Sequence, residues 1–313
     1  MRLRFLASVF LAVVTSVAGL EVLWAELPAL PVEETRGVIQ KPGRLPESVA
    51  TWNLQWFPGN RPDPTPSQRI HHEKEAEQVI RYLDVDLLLV QEVVDRKALD
   101  RVTREYPWRV VSNFLRAGDE DKELPVQNVA ILSKVPIRES WEVGFHRLPL
   151  TPDRPVRGFL GARLGTKKNG MTIYTLHLKS NRGGRESSAK RRERAIQYLK
   201  NDWESRALDP QKDAMLVAGD FNCSLRNPEF AKEKTIQNLL KEGWVPVTGG
   251  ISWPQSATVR PDPERKYPAS DFDHILLSPG WAKVVKGGKW QAGVMQEPDV
   301  PSDHWPVWMR FGN

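Results

Sequence analysis

Apolar runs of four to six residues recur along the chain, and each one ends in a small polar cluster. Such runs predict buried strands that present polar side chains at their C-terminal edges. Ser48 to Asn53 reads as a strand ending at Asn53 and Gln55. Asp86 to Val90 is a continuous apolar run, as in a strand buried on both faces, and it runs into Gln91 and Glu92. Further strands are expected at Trp108–Ser112, Val129–Ser133, Glu139–Val143, Gly158–Leu164 and Thr172–Leu178. Lys167 to Gly170 is a hairpin signal between the last two, and the second of that pair ends at His177 and runs on to Asn181. Ala214 to Val217 leads into Gly219, Asp220, Phe221 and Asn222, and a strand over Asp271–Leu277 follows. The last strand begins at Ser302-Asp303-His304 and extends to about Trp308.

Helical patterns alternate with these runs. Ser67 to Leu83 places Ile70, Ala76, Val79, Ile80 and Leu83 on one inner face. Asp95 can cap a short helix to about Tyr106. A basic helix spans Glu186–Trp203, with Ala189, Ile196, Leu199 and Trp203 as its apolar stripe, and Pro228–Leu240 reads as another. Residues 244–270, rich in Pro and Ser, read as irregular. No repeat at solenoid spacing is visible. Many strands mixed with a few helices predict an α/β (α+β) layered domain around a large core.

Composition narrows this only slightly. A chain of 313 residues with 40% hydrophobic and 27% charged residues is an ordinary globular protein. The 12 Trp residues fit a large core as well as a ligand surface. The N-terminus stands apart: Arg2 and Arg4 precede an uncharged run from Phe5 to Leu20, the pattern of a signal peptide. We expect residues 1–25 to be that signal, 26–47 a linker, and 48–313 the folded domain of an exported protein; an uncleaved anchor is the other reading. Cys223 is the only cysteine, so no intrachain disulfide can form. The formal charge of +6 stays positive if the signal is removed, which favours polyanions such as nucleic acid or an anionic membrane surface.

Polar groups therefore collect at strand ends: Asn53, Glu92, His177, Asp220 with Asn222, Asp273, and Asp303 with His304. Each has a plain structural reading, as a turn residue, a cap or a polar position on an alternating strand. Their order is more telling. TWNLQW, LLLVQEV, TLHLKS, VAGDFN, DFDHILL and SDHWPV, in that sequence over residues 48–311, resemble the endonuclease/exonuclease/phosphatase superfamily with the deoxyribonuclease I-like fold. That resemblance implies a four-layer sandwich, two packed mixed β-sheets flanked by helices, with a divalent-metal phosphoesterase site at one edge.

It also implies roles. Glu92 matches the family's metal carboxylate, with Asn53 in support, and Asp303 a second acidic position that holds metal or orients His304; oxygen donors suit Mg²⁺ or Mn²⁺. His304 matches the general base and Asp273 the acid that orients it. Asp220 matches the residue that positions water, Asn222 a donor to a phosphoryl oxygen, and His177 a phosphate contact or leaving-group acid. Arg157 and Asn181 are candidate phosphate or substrate contacts, and Asn128 a candidate groove residue. Gln55 stands where some members carry an acid.

The substrate class stays open at this point. Arg182, Arg185, Lys190, Arg191, Arg192 and Arg194, set against Glu186 and Glu193, suit a surface that tracks a nucleic acid backbone, or else a solvated helix face. An endonuclease acting on DNA or RNA is the first expectation. The alternative is a phosphodiesterase or phosphatase acting on lipid headgroups or inositol phosphates, like a sphingomyelinase, although no clear apolar docking hairpin is seen. A non-catalytic binding module would not need the whole set of acids, amides and histidines. No protein partner is implied, and a monomer is expected.

Overall fold

The computed structural model describes residues 44–114, 127–145, 148–149, 151–166, 168–262, 264, 268–281 and 289–311. The expected signal peptide, and all but the last residues of the expected linker, lie outside this range. Among the described residues no helix is long and apolar enough to cross a membrane.

The elements run β1 (Ser48–Phe57), α1 (Pro66–Leu83), β2 (Leu87–Val93), α2 (Arg96–Val102), β3 (Trp108–Val111), β4 (Asn128–Ser133), β5 (Ile137–Val143), β6 (Phe159–Gly165), β7 (Gly170–His177), α3 (Arg185–Ser205), β8 (Met215–Asp220), α4 (Lys234–Lys241), β9 (Val245–Pro246), β10 (Asp273–Leu277), β11 (Trp290–Val294) and β12 (Val307–Phe311). Two mixed sheets result, ordered β11-β12-β1-β2-β4-β3 and β5-β6-β7-β8-β10-β9. The pairs β1/β2 and β7/β8 are parallel, and the remaining pairs are antiparallel.

Alternation along the strands builds the layers. Val49, Leu87, Leu89 and Ile131 of the first sheet meet Leu160, Ile173, Leu216 and Ile275 of the second in the central core. The intervening residues face outward. Ala50, Trp52, Leu88 and Val90 pack with Ala76, Ile80 and Leu83 of α1 and Leu99 of α2. Tyr174, Met215 and Val217 pack with Ile196, Leu199 and Trp203 of α3 and Leu239 of α4. Strands covered on both faces read as unbroken apolar runs, which is why β2 and β8 stand out in the sequence. The fold is the four-layer, deoxyribonuclease I-like sandwich expected.

Local differences have clear causes. Ile70, expected on the inner face of α1, is 69% exposed, and His72 is buried instead. Ala76, Val79, Ile80 and Leu83 extrapolate back at helical spacing to position 72, whereas position 70 points about 200° away from it. The helix expected over Pro228–Leu240 splits into a 3-10 turn (Pro228–Phe230), capped by Asn227, and α4. Glu233 between them is extended at φ −78°, ψ 133°, and its carboxylate is drawn to Arg192. The last strand begins at Val307 rather than Ser302, and β11, outside the sequence reading, pairs with it.

Candidate active site

Strand register delivers the site. On the second sheet His177 sits opposite Asp220, and Asp220 opposite Asp273, so the ends of β7 and β8 and the start of the antiparallel β10 carry a row of three ionisable side chains. On the first sheet β1 and β2 run parallel, with Asn53 opposite Gln91. Both depart from regular pairing there, β1 between Asn53 and Phe57 and β2 against β4 between Val90 and Val93. Bulges of this kind re-aim side chains next to functional sites. Gln55 (φ 51°), Trp56 (φ 50°), Glu92 (φ 62°) and Asn222 (φ 50°) all occupy the left-handed region, which costs energy for residues other than Gly and clusters at functional sites. Gly219 is obligatory beside them: a Cβ there would lie 2.0 Å from the Leu176 carbonyl oxygen.

The side chains interlock. Asn53 Nδ2 donates to Asp220 Oδ2 at 3.0 Å and reaches Glu92 Oε1 at 3.3 Å. Asn222 donates its backbone N–H to Asp220 Oδ1 at 2.8 Å, and its amide to Asp220 Oδ2 (3.0 Å) and the Leu178 carbonyl (3.1 Å). Asn222 thus orders the Asp220 carboxyl as it stands, and its amide hydrogens are engaged there rather than directed at a ligand. His304 Nδ1 lies 2.7 Å from Asp273 Oδ2, which also accepts from Thr258 Oγ1 at 2.7 Å. Ser302 Oγ accepts the His304 N–H (3.0 Å) and donates to the Asn53 carbonyl (2.7 Å), tying the segment before β12 to the end of its neighbour β1. Asp271 lies apart, bonded to Ser224 and the Leu225 N–H.

Burial and charge tune these groups. Loss of solvent and the nearby Asp273 push the Asp220 carboxyl up to about 7. Burial also raises Glu92, against the opposing influence of Arg157 and the Trp56 N–H. For His304 burial alone would favour the neutral ring, but Asp273, Asp220 and Asp303 outweigh it and hold the imidazole well above its ordinary value. Burial dominates at His177, and Arg157, His304 and Lys179 add to it, so that ring is held well below its ordinary value. His177 Nε2 lies between Asp220 (3.4 Å) and Glu92 (3.7 Å). The two histidines in one pocket are therefore shifted in opposite directions, His304 toward higher proton affinity and His177 toward the neutral ring.

The outer candidates separate. Arg157 lines the cleft and donates to the Gln127 Oε1 and, at 3.4 Å, to the Leu178 carbonyl. Asn181 lies at the cleft wall and accepts from Arg192 at 3.0 Å. Asp303 is half-exposed, its Oδ1 4.0 Å from His304 Nε2. The Asn128 side chain accepts from Ser112 Oγ and the Phe114 N–H, both at 3.0 Å, and is spent inside the scaffold; its neighbour Gln127 lines the cleft. Gln127, Thr258 and Ser302 were not singled out from the sequence. Only Ser302 carried a signal, its place beside Asp303 and His304.

Atoms of Asp220, Asp273 and His304 approach one another within 4.8 Å, close enough to ligate one ion. Two of the three are already joined by the 2.7 Å His304–Asp273 contact. Glu92 offers the better fit: among the described residues its Oε1 has only contacts of 3.3 Å or longer, from Asn53 and His177, and its side chain is largely withdrawn from solvent, 14% exposed. Such a donor set suits a hard divalent cation.

Comparison with known proteins identifies the family and the fold. The model of the Endonuclease/Exonuclease/phosphatase family matches residues 50–304. The chain belongs to that family. A search of curated protein sequences returns no match. Among solved structures, sphingomyelinase C from Streptomyces griseocarneus aligns with TM-score 0.61 and 17% identity, covering 86% of this chain and 100% of that one. TDP2 from Caenorhabditis elegans aligns with TM-score 0.59 and 18% identity, covering 85% and 75%. Beta toxin from Staphylococcus aureus with bound magnesium ions aligns with TM-score 0.57 and 15% identity, covering 87% and 100%. At these identities the likeness is one of fold. Members of the family are phosphoric ester hydrolases, and relatives of this fold depend on divalent metal.

Proposed function

We propose that the protein is an exported phosphodiesterase, dependent on Mg²⁺ or Mn²⁺, that cleaves the backbone of DNA or RNA. The observation that carries the chemistry is the Asp273–His304 pair set against Asp220 in the same cleft. Asp273 orients the imidazole through Nδ1, leaving Nε2 to take a proton from water. The acids around His304 raise its proton affinity, as suits a base. Asp220, held by three donors from Asn53 and Asn222, positions that water. As the water oxygen bonds to phosphorus, the P–O bond to the leaving oxygen breaks. Neutral His177 can hydrogen-bond a phosphoryl oxygen without adding charge. Glu92, with Asn53 beside it, would hold the cation, which when bound supplies charge stabilisation at the phosphoryl oxygens.

The cleft favours a polyanionic strand. It has a volume of about 1100 Å³, and its lining includes Arg61, Arg157, Lys179, Arg182 and Arg260, with Arg185 there paired to Glu229. Burial pushes the Lys179 amine down to about 8, and the neighbouring Arg157, Arg191, Arg192 and Arg182 push the same way, as expected where cations crowd together. Export is supported by Arg2, Arg4 and the apolar run after them.

A lipid headgroup is the second reading, favoured by Trp253, which is 45% exposed in the segment after β9. The deciding test uses supercoiled plasmid, single strands, RNA and sphingomyelin vesicles with Mg²⁺ or Mn²⁺. We expect plasmid nicking that stops with EDTA. Headgroup release from vesicles without cleavage of any nucleic acid would replace the first reading with the second.

A further inference from the structure

Gln127 sits immediately before β4, at the cleft wall and only 5% exposed, and its amide spans two charged groups. Its Nε2 donates to Glu92 Oε2 at 2.5 Å, and its Oε1 accepts from Arg157 Nη2. A guanidinium has no acceptor, so Arg157 can bond only the oxygen end of the amide. The nitrogen end is thereby turned to Glu92. The same Glu92 oxygen accepts the Trp56 N–H at 2.9 Å. Oε2 is thus held by two short hydrogen bonds, while among the described residues Oε1 has only the 3.3 Å contact from Asn53 and the 3.7 Å approach of His177. The two oxygens of one carboxylate are made unequal, one tied to the scaffold and the other left for a ligand.

We infer that Gln127 is a positioning residue that makes Glu92 a one-oxygen ligand for the divalent cation. This rests on the metal-dependent reading above. Without Gln127 the carboxylate loses its strongest constraint, can rotate, and must be ordered on each binding event. Arg157 acts one step further out by fixing which way the amide points. Partners that orient a ligand in this way typically contribute ~10–100-fold to metal affinity.

The test is Mn²⁺ binding to the full chain, followed by electron paramagnetic resonance, with no substrate present. Gln127→Met keeps the side-chain volume and removes both hydrogen-bonding ends; Gln127→Ala is the second variant should Met distort the wall. We expect either to weaken Mn²⁺ by ~10–100-fold while the unfolding midpoint without metal stays close to wild type. Arg157→Met should weaken it less, because the amide survives but can flip. Asn128→Ala, one residue away, should lower the midpoint and leave Mn²⁺ affinity unchanged. If the wild type binds Mn²⁺ and the Gln127 variants bind it equally well, the role of Gln127 is overturned and the metal site stands. If the wild type binds no Mn²⁺, the metal-dependent reading itself falls, and this inference with it.

Discussion

The strand-end site and helix α3 are both dense in charge, and both looked functional in the sequence. The structure uses them differently. At the strand ends, Glu92, Asp220, Asp273 and His304 converge from two sheets, and among the described residues His304 Nε2 and one Glu92 oxygen have no short hydrogen bond. On α3 the charges are largely matched within the scaffold. Arg192 is fully buried against Glu233, Arg185 pairs with Glu229, Lys190 with Glu186, and Arg194 approaches Asp153. Arg191 donates to the Pro152 carbonyl. A charge run is thus a weak guide to a binding surface, because a helix offers neighbours at every turn. Polar residues at the ends of apolar strands are a stronger guide, since strand register alone brings them together.

The largest effect that would break this contrast is at His304. Replacement by Ala should lower the rate by ~10²–10⁴ and leave the far-ultraviolet spectrum and unfolding midpoint close to wild type. A collapse of the fold instead would make the site a packing feature, no different in kind from α3. Asp273→Asn should also lower the rate, with a diagnostic shift. Removing that charge lowers the proton affinity of His304, so the acid limb of the pH–rate profile moves to lower pH. An unmoved limb would mean that another group sets it.

What was legible follows the same line. Apolar runs ending in an acid, an amide or a histidine located β1, β2, β7 and β8, and an acid ahead of an apolar run located β10, because a strand covered on both faces carries its own signature and its register fixes what stands beside it. The central row of His177, Asp220 and Asp273 needs only that register. Features set by three-dimensional partners were not visible. Nothing local marks Arg192 as buried, since its partner Glu233 is 41 residues away. Nothing marks Gln127 rather than Asn128 as facing the cleft, because the strand's facing at that point depends on where it pairs with β2. The buried His72 was masked by the hydrophobicity of Ile70, although the helical spacing of its neighbours pointed to it.

Arg192 gives the next largest effect. It donates to both Glu233 oxygens at 2.7 and 2.6 Å, to the Lys179 carbonyl at 2.6 Å and to Asn181 at 3.0 Å. It joins α3 to the turn before α4 and to the loop that follows His177. Arg192→Met leaves Glu233 buried without its partner and should cost ~3–5 kcal/mol, read from denaturant unfolding. Arg192→Met combined with Glu233→Gln should recover part of that loss. A single variant as stable as wild type would place Arg192 among the solvated charges and restore the case for α3 as a ligand surface.

A third effect is pH dependence away from the site. His72 Nδ1 accepts the Gly59 N–H at 2.7 Å and the ring packs edge-on against Phe57. Burial, and then the neighbouring His71, lower its value from 6.5 to about 4. The unfolded chain therefore takes up a proton at a pH where the folded chain does not. Stability is unaffected above pH 6.5 and falls as the pH drops from 6.5 to about 4, by ~3 kcal/mol in all. His72→Asn keeps an acceptor and removes the titration, so its stability profile should be flatter over that interval. An unchanged slope would assign the acid sensitivity to the other buried histidine held below its ordinary value, His177, because Asp220 and Glu92, raised in the folded chain, act in the opposite sense.

The smallest effect is the sharpest test of α3. Lys190 is exposed and, among the described residues, paired only with Glu186 at 2.9 Å, one turn away. Exposed pairs of this kind contribute little to stability. Lys190→Ala should therefore leave the unfolding midpoint and the cleavage rate unchanged. Salt dependence of nucleic acid binding is the more sensitive measure, because each phosphate contact adds about one to the slope of log affinity against log salt. An unchanged slope means that the strand is held by the cleft cations Lys179, Arg182 and Arg61, and that the charge of α3 belongs to the scaffold. A slope reduced by about one would show that the substrate passes over α3, and the contrast between the two regions would give way to one continuous surface.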